Sequence, residues 1–158
     1  MEWTYASAII LSTLAGGAAG SPGSPSAGVK PDSLRFEIRV PAQVRLGEPV
    51  PVKLCLTNPS DQPITVYLQG RPTAFDIVVT DSRGAAVWHR LEGEVIPAIL
   101  GIRTLEPGEI ISFEDVWPQR DDRGKPVGPG TYSVVGLLPT DGPEPLRTGP
   151  KRIEVTTP

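Results

Sequence analysis

Short stretches in which every second residue is hydrophobic dictate most of what this chain can become. In residues 34–40, Leu34, Phe36, Ile38 and Val40 alternate with Arg35, Glu37 and Arg39. The same period places Val52, Leu54 and Leu56 on one face of residues 50–57, and Ile64, Val66 and Leu68 on one face of 64–69. It recurs with Phe75, Ile77 and Val79 in residues 74–80, and with Ile153 and Val155 in 152–156. A spacing of two fits an extended chain, whose successive side chains point to opposite sides, and does not fit the 3.6-residue period of a helix face. Residues 85–89, 98–105, 109–117 and 131–138 are predicted as further strands from their β-branched and aromatic content. In 109–117, Ile111, Phe113 and Trp117 share a face that Asp115 interrupts. In 131–138, Tyr132, Val134 and Leu138 share one face, and Val135 and Leu137 make the other apolar too, which predicts a strand covered on both sides.

The runs are punctuated by turn chemistry, which is where the 19 prolines and 17 glycines enter the argument. The segment 58–63 (NPSDQP) predicts a turn and a hairpin joining 50–57 to 64–69. Asp81-Ser82-Arg83-Gly84 predicts a second hairpin, and Glu106-Pro107-Gly108-Glu109 a type II turn. Asp121-Asp122-Arg123-Gly124 and Pro129-Gly130 shape a polar loop between Trp117 and the next strand. The expected fold is all-β: an immunoglobulin-like antiparallel β-sandwich of about eight strands, with a closed barrel as the alternative.

Residues 1–33 read differently. The apolar, small-residue run ASAIILSTLAGGAA (residues 6–19) is short for a bilayer span and suits a signal peptide, with Ala18-Ala19-Gly20 before Ser21 as a cleavage region. The segment before it carries Glu2 and no Lys or Arg, against the usual pattern. A Gly/Ser/Pro linker follows. The expectation is an exported protein, in the periplasm, envelope or medium, with no stable membrane span in the mature chain. The alternative is a cytoplasmic protein with an Ala/Gly-rich leader. Residues 34–158 form the single folded domain.

The 15 basic and 18 acidic residues leave a net charge of -3 and no basic patch, which argues against nucleic acid. A single cysteine, Cys55, allows no intrachain disulfide, and with His89, the one histidine, makes a poor zinc ligand set. Alternation puts Cys55 on the face opposite Leu54 and Leu56, as a half-covered, inert thiol. No G-x-S-x-G elbow presents a serine to His89, so His89 reads as a surface or edge-strand residue and no enzyme is expected. Asp115, Asp121 and Asp122 lack the alternating ligand spacing of a calcium loop and are better explained as turn residues. Glu92 and Glu94 could pair as glycosidase carboxylates, but a solvated loop accounts for them as well. Trp88 and Trp117 read as core or rim anchors, with no polar neighbours that would favour carbohydrate stacking. No cofactor or metal is expected.

An ordered set of residues carries a resemblance. Phe75-Asp76-Ile77-Val78-Val79, Asp81, Gly84 and Val87-Trp88 are followed by Leu105-Glu106-Pro107-Gly108-Glu109, then Trp117, Asp122, Gly124 and Pro129-Gly130-Thr131-Tyr132. This order, with the strand 50–58 ending in Asn58, resembles the BsuPI-type intracellular proteinase inhibitor domain family. The chain departs from it at Pro118, where the family more often has Asp, and in its export-like leader. The resemblance implies an immunoglobulin-like sandwich and a non-enzymatic domain that inhibits a serine proteinase. Residues 90–97 and 118–129 are candidate contact loops, with no reactive-site residues assigned. The other reading is a structural or adhesive accessory module of the cell envelope.

Overall fold

The computed structural model describes residues 33–158. The apolar leader, its cleavage region and the linker lie outside the described residues. Eleven strands follow in order: β1 (Arg35–Arg39), β2 (Gln43–Arg45), β3 (Val50–Thr57), β4 (Ile64–Gln69), β5 (Asp76–Thr80), β6 (Ala86–His89), β7 (Leu100–Leu105), β8 (Ile110–Trp117), β9 (Gly130–Leu138), β10 (Leu146–Arg147) and β11 (Lys151–Thr156). They form a three-stranded sheet β1-β3-β8, a six-stranded sheet β2-β11-β9-β5-β6 with β10 on β9, and a two-stranded ribbon β4-β7. Every pairing is antiparallel except β2 with β11. The sandwich expected from the sequence is present. The very short β2 and β10 were not anticipated, because two or three residues give alternation nothing to register on.

The two larger sheets face each other across an apolar interior. Ile38, Val52, Leu54 and Leu56 come from one layer, and Ile77, Val79, Val134, Leu138, Ile153 and Val155 from the other, all buried. Trp117 (β8) is fully buried and meets Tyr132 (β9) edge to face, ring centres 5.2 Å apart. The layers approach tightly at Gly136, where a Cβ would sit 2.4 Å from Leu54 Cδ2. Leu54 is itself fully buried and has nowhere to move, so this position requires glycine. Its backbone N–H donates to Thr148 Oγ1 at 2.9 Å. As expected, β9 is central and covered on both sides: Val135 is buried on the face away from Val134.

Two expectations are corrected. The turn at 58–63 does not make a hairpin, because β3 pairs with β1 and β8 while β4 pairs with β7. Asn58 explains the crossing. Its side chain is fully buried, with Nδ2 donating to Leu105 O at 2.9 Å and Gln62 O at 2.7 Å, and Oδ1 accepting from Ser60 N and Oγ. The end of β3 is thereby fastened to the end of β7 and the chain steps between sheets. Cys55 points outward as predicted, but it is buried rather than half-covered, beside Ser112 on β8 with Sγ and Oγ 4.0 Å apart. The turn at Glu106–Glu109 forms as expected, with Glu109 N donating to Glu106 O at 2.9 Å.

Candidate functional site

The two candidate loops differ in construction. The first joins β6 to β7 and is anchored at its start by Arg90. The Arg90 guanidinium lies 3.9 Å from the centre of the Phe75 ring, donates to Phe75 O at 2.9 Å, and its Nε bonds Asp115 Oδ2. Asp115, the polar interruption of β8, is thus explained by a cation on the neighbouring loop. Arg90 N donates to Ile77 O, and Leu91 N to Asp76 Oδ1 at 3.0 Å. At the far end Gly70 N donates to Ile99 O at 2.8 Å, and β7 then pairs with β4. Between these anchors the chain is exposed: Val95 retains 90% of its accessible surface, while Ile96 is half-buried. Among the described residues, the backbone N–H and C=O groups of Val95 and Ile96 have no partner.

The second loop, residues 118–129, folds back on itself. Trp117 Nε1 donates to Arg120 O at 3.0 Å, Val127 N to Gln119 O at 2.9 Å, and Tyr132 Oη to Gly128 O at 2.8 Å. Burial pushes the Tyr132 phenol pKa up. Gln119 is buried in the left-handed region, φ 55°. Its side chain donates to Arg45 O and Glu48 O and accepts from Gly47 N, clamping the loop to the turn before β3. Nothing in the sequence marks Arg90 or Gln119 for these roles, since each depends on partners far along the chain.

Residues 81–85 and 121–125 are the same turn built twice. In each, the Asp Oδ1 accepts from the backbone N–H groups two and four residues on, at 2.8–3.0 Å, and the Gly (φ 80° and 77°) accommodates the left-handed step. The N–H of Ala85, with help from Arg83, holds the Asp81 carboxyl below the ordinary value. A carboxylate depressed in the folded state contributes stability above its unfolded pKa, and that contribution is lost as the pH falls through the lower folded value. Asp81→Asn is therefore expected to flatten the acid limb of the melting-temperature profile. The check is thermal melting of both proteins at pH 7 and at steps below pH 4; parallel profiles would refute the expectation.

The residues weighed for catalysis do not converge as the sequence grouped them. Asp121 serves its own turn and Asp115 holds Arg90. Asp122 accepts from His89 N at 2.6 Å and pairs with His89 Nδ1 at 2.8 Å, so His89, on edge strand β6, ties that strand to the second loop. Cys55 lies on the other sheet and is not joined to His89. Glu92 and Glu94 are exposed on the first loop. His89, Glu92 and Asp122 bring possible ligand atoms within 4.8 Å of one another, a grouping that spans two loops and that spacing did not suggest. Trp117 is a core anchor and Trp88 is half-buried against the core.

Residues 36–142 match the family described as BsuPI, intracellular proteinase inhibitor. The chain belongs to the BsuPI family. The residues that carried the resemblance are the turns, strand ends and core aromatics described above. This membership implies a proteinase as partner, and it corrects the expectation of export: the family is described as intracellular, and the cytoplasmic alternative fits that description. Among the described residues no helix is long and apolar enough to cross a membrane. No curated protein sequence matches this BsuPI chain. Solved structures similar to it include a β-glucosidase from Erythrobacter marinus (19% identity, TM-score 0.44, covering 78% of this chain and 15% of the other). A DNA glycosylase, AlkC, from Pseudomonas fluorescens is 16% identical (TM-score 0.43, 78% and 30%). A CARDB domain from Pyrococcus furiosus is 11% identical (TM-score 0.40, 78% and 91%). The chain thus spans less than a third of the length of the first two.

Proposed function

We propose that this BsuPI domain inhibits a serine proteinase without chemistry of its own, by presenting the loop between β6 and β7 to the enzyme's cleft. The observation that carries the reading is the combination of full exposure at Val95 with firm anchoring at both ends of the same loop. A segment held in place at both ends before binding loses less conformational freedom on docking. A contact of standard size needs about 800 Å² from each partner, which one loop and its surroundings can provide. The second loop is the weaker candidate, because its backbone is committed to bonds within itself and to the turn at Gly47.

The test is titration of the full chain against serine, cysteine and metalloproteinases, with small chromogenic substrates. Stoichiometric loss of activity in at least one serine proteinase is expected, with the other classes unaffected. Serine proteinases that all keep full activity at tenfold excess of the domain would overturn the proposal.

A further inference from the structure

We propose that Val95 is the side chain the target takes into its primary specificity pocket, and that this pocket is shallow and aliphatic. The inference rests on the inhibitory reading above and deepens it. Val95 is the most exposed of the large hydrophobic residues among those described, at 90%. A single exposed valine is ordinary, but here Ile99, Leu100 and Ile102, a few residues on, are exposed as well, and grouped exposed apolar residues mark interaction sites. Its neighbour Ile96 is less exposed. Val95 and Ile96 both border a recess shared with Arg90, Leu91 and Asp115, but Ile96 is half-buried there while Val95 stays almost fully exposed.

The backbone is suited to the same docking. A residue before proline is pushed out of the helical region towards extended conformations, so Pro97 predisposes Ile96 to the shape a proteinase cleft accepts. The unpartnered N–H and C=O groups of Val95 and Ile96 are available for strand-like pairing with the enzyme. The surface beyond the loop continues apolar: Ile99, Leu100 and Ile102 are 48%, 45% and 69% exposed, and Tyr67 stands opposite Ile102 on β4. These residues would meet the rim of the cleft on the side towards which the chain runs. A valine fills an aliphatic pocket but leaves a deep aromatic or acidic one largely empty. The partner is accordingly a proteinase that cleaves after small aliphatic residues.

The experiment compares the full chain with Val95→Asp, Val95→Arg and, in the second loop, Arg123→Ala. Val95→Asp should weaken inhibition of the aliphatic-preferring enzyme by at least about 100-fold, equivalent to about 2.7 kcal/mol. Its melting temperature should not change, since the replaced side chain touches little of the domain. Val95→Arg should lose the original target and gain inhibition of a proteinase that accepts basic residues. Arg123→Ala should inhibit as the parent does. If the parent inhibits a serine proteinase and Val95→Asp inhibits it equally well, this inference falls while the proposed function stands. If the parent inhibits none, both fall.

Discussion

Trp117→Ala is expected to lower the stability of the domain by about 3–5 kcal/mol, the range for emptying a large aromatic site in a packed core. The residue is fully buried and no solvent can enter to soften the loss. Three separate things go with it. The ring's own burial is lost, as is its edge contact with Tyr132 at 5.2 Å between centres. The third loss is the Nε1 bond that holds the Arg120 carbonyl. That bond begins the second loop, so the loop should loosen along with the core. Trp117→Phe keeps an aromatic against Tyr132 and gives up the hydrogen bond, and its cost should be clearly smaller. Urea denaturation of both variants measures this. An alanine variant within about 1 kcal/mol of the parent, where ordinary surface changes lie, would show that the two sheets do not depend on this ring.

Asn58→Ala should cost about 3 kcal/mol, a large effect for removing one small polar side chain. The reason is positional. The amide of Asn58 satisfies a carbonyl of Leu105 that is itself in the interior, and water cannot replace it there. An orphaned buried acceptor costs about 1–3 kcal/mol in addition to the bond itself. The other partners, Gln62 O and Ser60 N, sit nearer the surface and can be rehydrated. Asn58→Asp tests the argument more sharply. The shape is kept, but a carboxylate oxygen is placed against two carbonyls, so this variant should be no better than alanine at neutral pH. The same denaturation measurement checks it. A near-neutral aspartate would mean that Asn58 is merely a turn residue and not the tie between β3 and β7.

The sandwich was readable because its strands are amphipathic with an unbroken period, and Leu54, Ile77, Val134 and Ile153 all lie buried where alternation put them. The turns were readable because Asp, Pro and Gly act within four or five residues of themselves, as at Asp81, Gly108 and Asp121. What stayed hidden depends on pairing over distance. The segment 58–63 has every local mark of a hairpin turn, yet the partner of β4 is β7, and nothing within six residues of Asn58 says so. For the same reason the anchoring by Arg90 and the clamp by Gln119 were invisible: their partners are Phe75, Asp115, Arg45 and Glu48. Of the candidate site, the bounds of the second loop were legible, whereas the first runs two residues further than expected, to β7 at Leu100, and the exposure of Val95 could not be read. Cys55 shows the converse, since its face was right and its burial wrong, because Ser112 and the neighbouring strands cover the outer surface there.

The last strand, β11, does not lie at a margin of its sheet. It is inserted between β2, from the beginning of the folded part, and β9. During synthesis, then, β1 to β10 must all have been made before this gap can be filled. Until that moment β2 has no neighbour in the sheet and one long side of β9 stands open, which is the condition in which nascent β proteins stick to one another. Closure of this sheet is therefore a late step in folding, governed by how quickly β11 finds its slot.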